Sequence, residues 1–278
     1  MNAPALSVVI PAYNEESRLP ATLRRVVAFL GARPVSFEIL VVDDGSGDAT
    51  GDGARDLGDP RIAVLKNATN RGKGYSVRRG MLAARGSRRL ITDADLSTPI
   101  EDIRRLEAPL DAGFDVAIGS RALPASRVEV RQAFARESMG RLFNLGVRLL
   151  RLGEFRDTQC GFKLFTASAA SAAFSPCGLD GFCFDVEALA VARRRGLRIA
   201  EVGVTWRNDA ATHVGLVQGG LAFLDLLRIR VNLSRGRYDP SSAPADARAL
   251  RGGPGASGRD PAGELRAGSG SRRPGGAP

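Results

Sequence analysis

The sequence predicts an α/β protein built on a doubly wound, mostly parallel sheet with helices on both faces. Three observations carry this. Short β-branched apolar runs recur along the first half of the chain, each stopped abruptly by polar or turn residues. Segments with apolar residues at helical spacing lie between them. The runs are continuously hydrophobic rather than alternating, as strands covered on both faces require.

Taken in order, residues 7–10 and 38–42 are the first two strands. Between them Leu19, Leu23, Val26, Val27 and Leu30 mark a helix, with Gly31 placed to end it. A unit of this length suits a right-handed crossover between parallel strands. Residues 62–65 read as a third strand, 75–84 as a helix, 89–92 as a fourth strand and 116–119 as a fifth. From 127 to 152 the pattern turns basic and helical; a compact segment follows to Thr205, and 221–233 is a further helix. From Tyr238 onward Pro, Gly, Ser, Ala and Arg dominate, and so few large apolar residues cannot offset the entropy of ordering. The expected organisation is one folded domain over 1–237 and a disordered tail over 238–278.

A hydrophobic content of 44% is ample for one sizeable core. The balance of 40 Lys+Arg against 30 Asp+Glu leaves a formal charge of +10, which favours an anionic partner: nucleic acid, an acidic membrane or a phosphorylated substrate. The basic residues are dispersed and aromatics make up only 6%, so no stacking platform is evident and no specific nucleic-acid partner is expected. Cys160, Cys177 and Cys183 form no CxxC pair and His213 is the one histidine. That argues against a zinc site or disulfide framework and fits a reducing cytoplasm. No basic leader precedes the apolar run at 6–10, and no uninterrupted apolar stretch reaches the roughly 18 residues of a spanning helix. A membrane would therefore be met peripherally, from the cytoplasmic face.

Ligands of doubly wound sheets bind at the carboxyl ends of the strands. The polar clusters lie there: Pro11-Ala12-Tyr13-Asn14-Glu15-Glu16, Asp43-Asp44-Gly45-Ser46-Gly47-Asp48, Asp93-Ala94-Asp95 and Gly119-Ser120-Arg121. Asp93 and Asp95, two residues apart just past a strand, suit one hard divalent cation that clamps a diphosphate. Taken alone the same residues read as a helix cap before Pro99; set among the other clusters they read as the cation pair. The Asp43–Asp48 cluster lacks the sixth-position Gly and terminal Glu of a calcium loop. Asp44 suits a base or ribose, while Asp48 and Thr50 suit a helix start. Asn70-Arg71-Gly72-Lys73-Gly74 is a basic, glycine-rich turn before a helix, either open to phosphate or simply solvated. It lacks the first glycine and the Ser/Thr of a Walker A loop.

In order and spacing, Val8–Glu15, Val41–Ser46, Asn70–Gly74 and Asp93–Pro99 resemble the family-2 glycosyltransferases of GT-A (Rossmann-like) fold. Gly119-Ser120-Arg121, Arg156–Phe165 and Phe184-Asp185-Val186-Glu187 are similar to the dolichyl-phosphate β-glucosyltransferase branch, over about residues 5 to 235. The resemblance implies that Pro11, Tyr13, Glu15, Val42 and Asp44 hold the nucleoside, with Lys73 near the phosphates. It implies that Asp93, Ala94 and Asp95 hold a metal-diphosphate, with Asp93 and Asp95 ligating Mg²⁺ or Mn²⁺. Arg121 and Arg136 then serve the phosphates of donor and acceptor, with Lys163 adding charge. Mannose synthases often carry glutamine where Ser97 stands, which argues against mannose transfer. The implied reaction is inverting transfer of a hexose, glucose from UDP-glucose, to a polyprenyl or dolichyl phosphate. Catalysis falls to Asp95, Arg121, Arg136, Asp157 and Asp185. Asp157 and Asp185 orient the acceptor or a sugar hydroxyl; alternatively Asp157 caps a turn and Asp185 pairs with an arginine. A transferase of the same fold acting on a soluble acceptor is the competing reading.

Two stretches bear on the membrane. Leu142, Leu145, Leu149 and Leu152 fall at helical spacing with Arg141, Arg148 and Arg151 interleaved, and residues 221–233 repeat the theme with Arg228 and Arg230. Such helices lie in an anionic headgroup region or pack on a core. Relatives commonly add a transmembrane segment; peripheral attachment or a partner membrane protein would have to substitute for it in this sequence.

Overall fold

Apolar runs that no water-facing strand could carry become the centre of a seven-stranded sheet in the computed structural model, which describes residues 3–130, 134–207 and 216–239. The first half runs β1 (Leu6–Ala12), α1 (Leu19–Gly31), β2 (Phe37–Asp43), α2 (Thr50–Arg55), β3 (Ile62–Lys66), α3 (Lys73–Ala83) and β4 (Arg88–Ile91). A 3₁₀ turn at Ile100–Asp102 leads into α4 (Ile103–Asp111), β5 (Val116–Ser120), β6 (Arg127–Val130) and α5 (Phe134–Leu149). The chain continues through β7 (Lys163–Thr166), α6 (Ala167–Phe174), α7 (Phe184–Arg194), β8 (Ile199–Gly203), β9 (Thr205–Arg207) and α8 (Leu216–Ser234).

The five expected strands and the first helix are present. α1 buries Leu19, Leu23, Val26 and Leu30, and Pro20 in its first turn costs no hydrogen bond there. Side chains alternate across the sheet. Val9, Val42, Ile91 and Phe165 join the core under α3, α6 and α7; Val8, Ile10, Val41 and Leu90 join the core under α1 and α4. All seven residues of β2 are buried, which explains its continuous hydrophobicity.

The strand order is β3-β2-β1-β4-β7-β5-β8, parallel throughout except that β7 runs antiparallel to both its neighbours. From β1 the chain winds one way through β2 and β3, then crosses to β4 on the other side. That reversal opens a crevice past the carboxyl ends of β1 and β4.

Two expectations need correction. Residues 127–152 are not helical throughout: Arg127–Val130 is β6, paired in parallel with β9 in a separate two-stranded sheet. The folded unit also does not stop at residue 237. Tyr238 is buried and its hydroxyl donates to Glu187 Oε1 at 2.7 Å. Residues 240–278, which make up nearly all of the expected tail, lie outside the described residues.

Candidate active site

The loops after β1 and β2 are sewn together by their own polar groups. Asn14, with φ of 55°, donates its N–H to Ser46 Oγ at 3.0 Å and accepts from the Gly47 N–H at 3.1 Å. Glu15 donates its N–H to Thr50 Oγ1 at 2.7 Å, and its carboxylate is forked by Arg18 at 2.7 and 2.9 Å. Asp48 accepts the Thr50 N–H at the start of α2, the helix-starting role expected of these two. Tyr13 stands exposed at the mouth beside half-buried Pro11. Val42 is fully buried among core side chains, so its side chain offers a nucleoside nothing to touch, contrary to expectation.

Asp44 is likewise turned inward. Its carboxylate accepts from Asn67 Nδ2 at 2.6 Å and from the Arg71 and Gly72 N–H groups at 3.0 and 2.7 Å. It therefore shapes the glycine-rich turn. At Gly72, with φ of 101°, a Cβ would fall 2.4 Å from the Asp180 carbonyl oxygen. The Gly74 N–H donates to that same oxygen at 2.8 Å. The first turn of α3 thus has Asp180 as its partner rather than an open anion site. Arg71 pairs with Asp180 at 3.3 Å and lies over Tyr75. What the turn delivers to the crevice is the Lys73 side chain.

Lys73 Nζ stands 2.6 Å from Asp93 Oδ1. The Asp93 carboxylate rests on Gly161, where a Cβ would come within 2.1 Å of Oδ2, so any larger residue there would have to push the carboxylate aside. Asp95 Oδ1 accepts the Ser97 N–H at 2.9 Å, across Leu96 in a left-handed conformation with φ of 46°. Ala94 between the two is buried, its carbonyl accepting the Thr22 hydroxyl at 2.6 Å. Burial pushes the Asp93 carboxyl up, but Lys73, with Lys163 and Arg121, outweighs this and holds it below the usual carboxylate range. Burial works against the Lys73 ammonium, yet Asp93 and Asp185 hold it charged, above the ordinary lysine value. Among the described residues no group of three or more His, Cys, Asp or Glu is placed to hold a metal. The two carboxylates of Asp93 and Asp95 nonetheless fit Mg²⁺ or Mn²⁺. These hard ions take one or two carboxylates and complete their shell with phosphate oxygens and water.

Across the crevice, Arg121 is locked by Asp157: Nε and a terminal nitrogen donate to its two oxygens at 2.6 and 2.9 Å, and the Arg121 N–H adds a third bond at 3.0 Å. Its guanidinium also lies 5.5 Å from the centre of the Trp206 ring. Asp157 additionally caps a turn through the Gln159 N–H, and Glu201 accepts the N–H groups of Arg156 and Asp157. Lys163, on β7, is buried and donates to Asp185 Oδ1 at 2.6 Å and to the Cys160 carbonyl. Burial pushes the Asp185 carboxyl up, only partly offset by Lys163 and Lys73. Asp185 thus pairs with a lysine, not an arginine, and Asp157 is committed to Arg121. Neither carboxylate is free to orient an acceptor unaided. Arg136 lies on α5, but its side chain falls outside the described residues, as does His213.

Gly161 falls within the Arg156–Phe165 run without a role of its own there, and Asp180 and Glu201 carry no signal in the sequence. Each acts through backbone contact or through a partner far along the chain, and no local spacing signals that.

A mostly parallel sheet with a carboxylate pair at its switch point and cations facing it is the architecture of the GT-A glycosyltransferase fold. The same fold is found in glucosyl-3-phosphoglycerate synthase from Mycobacterium tuberculosis, whose crystal structure holds Mn²⁺, UDP and glucosyl-3-phosphoglycerate. The TM-score is 0.61 at 20% identity, covering 84% of this chain and 80% of that one. The chain belongs to glycosyl transferase family 2, whose family model matches residues 7–173. It is similar to the dolichyl-phosphate β-glucosyltransferase of Drosophila melanogaster, 41% identical over 216 residues, 72% of this chain and 66% of the fly protein. The human protein of that name is 37% identical over 72% of this chain and 67% of its own length. That of Saccharomyces cerevisiae is 32% identical over 84% and 76%. The chain thus spans about two thirds of the length of the animal relatives it matches.

Proposed function

We propose that the chain transfers glucose from UDP-glucose to the phosphate of a dolichyl or other polyprenyl phosphate, with inversion, at the cytoplasmic face of a membrane. The observation that carries this reading is the gathering of Lys73, Lys163 and Arg121 around Asp93, beside Asp95, at the switch point. Two phosphorylated substrates must meet there, and their mutual repulsion is the main obstacle. The names of the relatives supply the donor sugar and the lipid class.

An acceptor phosphate is anionic at neutral pH, so no strong base is needed. The pairing of Asp157 and Asp185 with cations agrees with that. Their part is to fix Arg121 and Lys163 so that positive charge is already in place when the anions arrive. Lys73 reaches the donor diphosphate. A divalent cation held by Asp93 and Asp95 would neutralise the charge left on the departing nucleotide. An acceptor phosphate oxygen attacks C1 of the sugar as its bond to the β-phosphate breaks, in line, giving a β-linked product from an α-linked donor.

Two helices support a lipid acceptor. Phe143 and Val147 turn the inner side of α5 to the core, while Leu145 and Leu149, from the leucine stripe seen in the sequence, are exposed. On α8, Leu226 and Ile229 are buried and Phe223, Leu224, Leu227 and Val231 are exposed. The helices meet through Phe143 and Phe223, whose rings lie 6.1 Å apart edge to face. Exposed Arg148, Arg228 and Arg230 accompany these apolar residues, a composition suited to an anionic headgroup layer. Among the described residues no helix is long and apolar enough to cross a membrane.

The test is a two-phase transfer assay with labelled UDP-glucose, GDP-mannose or UDP-N-acetylglucosamine, a short polyprenyl phosphate, and Mg²⁺ or Mn²⁺. Label should enter the organic phase from UDP-glucose and not with Asp95→Asn. Metal-dependent donor binding without lipid-phase label from any donor would refute the lipid acceptor.

A further inference from the structure

We propose that Lys73 stands in the cation's place on Asp93 and yields it only when a diphosphate arrives to take the ammonium, so that metal and donor are taken up together. This rests on Asp93 and Asp95 being the metal ligands.

The cations around Asp93 differ in freedom. Lys163 is 2% exposed and held by Asp185 and the Cys160 carbonyl. Arg121 is held by both oxygens of Asp157. The Lys73 side chain is 30% exposed, and Asp93 is its one ion-pair partner among the described residues. Its Cα is anchored, because Gly72 and Gly74 press against residues 179–181. The flexible four-carbon stem is what can swing. Asp93 has little choice of approach: Gly161 covers one side of the carboxylate, and Lys73 Nζ holds Oδ1 at 2.6 Å.

A divalent cation coming to Asp93 alone would have to push that ammonium off, adding two positive charges beside Lys163 and Arg121. Both of these cations already act on Asp93, and like charges in a partly buried site repel. A nucleoside diphosphate relieves the conflict twice. Its oxygens complete the cation's shell, and they give the displaced ammonium a new anion. Binding of metal and of nucleotide is then positively coupled, and the coupling is reciprocal.

The experiment titrates Mn²⁺ into the full chain with and without UDP, following the free ion by its EPR signal. Wild type, Lys73→Met, Lys73→Gln and Asp95→Asn are compared. In wild type, UDP should tighten Mn²⁺ binding by at least roughly tenfold. Without UDP, both Lys73 variants should bind Mn²⁺ roughly tenfold more tightly than wild type, and their coupling to UDP should shrink by a similar factor. Equal Mn²⁺ affinity of wild type and the variants without UDP overturns the proposal. If Asp95→Asn still abolishes UDP-dependent uptake in those titrations, the metal assignment survives. No Mn²⁺ uptake by wild type even with UDP overturns both. Should neither Lys73 variant fold, wild type decides alone: Mn²⁺ affinity indifferent to UDP sinks the idea.

Discussion

The carboxyl end of β4 and the outer sides of α5 and α8 are prepared for unlike groups in opposite ways. At the sheet end, charged side chains are gripped in pairs: Lys73 with Asp93, Lys163 with Asp185, Arg121 with Asp157. Arg121 and Lys163 are already set when phosphates arrive, and only the Lys73 side chain has to move. On the helices, large apolar side chains stand in the open, and Leu149 is 74% exposed. Among the described residues nothing covers them. The first region does its work by arrangement before binding; the second waits for an environment to complete it. One protein can thus hold a pre-paired polar site and an unfinished apolar face because they rest on different elements.

The comparison breaks most sharply at Asp95. Asp95→Asn should lower transfer by roughly 10²–10³-fold, the scale of losing a transition-state charge stabiliser, while the melting temperature moves little; an equal fall in both would make Asp95 a structural residue. Next comes the grip on Arg121. Asp157→Ala strands a mostly buried guanidinium and should cost about 3 kcal/mol in urea unfolding, with transfer falling as well. The third change addresses the other region. Leu149→Asp together with Leu227→Asp should weaken binding to anionic vesicles by at least roughly tenfold, measured by co-sedimentation, and leave UDP binding intact. Unchanged sedimentation would remove the helices from the membrane argument.

Two smaller effects sharpen the contrast by lying in neither region. Tyr238→Phe removes the hydrogen bond to buried Glu187 and the one accepted from Asn232 Nδ2, and should cost about 1–2 kcal/mol. At the amino end of the sheet, Glu38 accepts from the Ser7 hydroxyl and from Arg85. Burial raises its pKa, but those bonds outweigh burial and bring it below its ordinary 4.5. A depressed carboxyl stabilises the fold above its unfolded value and loses that contribution as pH falls through the folded one. Stability of wild type should therefore decline below about pH 4.5, and Glu38→Gln should flatten that part of the acid limb in a pH series of melts.

What the sequence disclosed follows the same division. β1, β2 and β5 are continuous apolar runs and could be read directly. β7 could not, because Lys163-Leu164-Phe165-Thr166 is short and opens on a lysine buried by a partner 22 residues away. β6 escaped notice because Arg127-Val128-Glu129-Val130 alternates and pairs with β9 far along the chain. Asp93 and Asp95 were legible because their spacing is local. The commitment of Asp157 to Arg121 was not, since the two lie 36 residues apart. Asp44 and Val42 sit in a recognisable motif, yet motif membership says nothing about which way a side chain turns.

The placing of β7 also sets an order of events at synthesis. β1 to β4 can pair as soon as residues 6–91 have emerged, and they bring Asp93 to the edge of a four-stranded sheet. β5, made next, has no seat beside them: the strand that joins it to β4 is residues 163–166. Until the ribosome has passed that point, the half of the crevice bearing Arg121 has nothing to dock on, and the nascent chain presents β4 as a bare sheet edge. Such an edge invites pairing with other chains. A stall or a cut between residues 120 and 163 should therefore yield an aggregating fragment rather than a half-active enzyme.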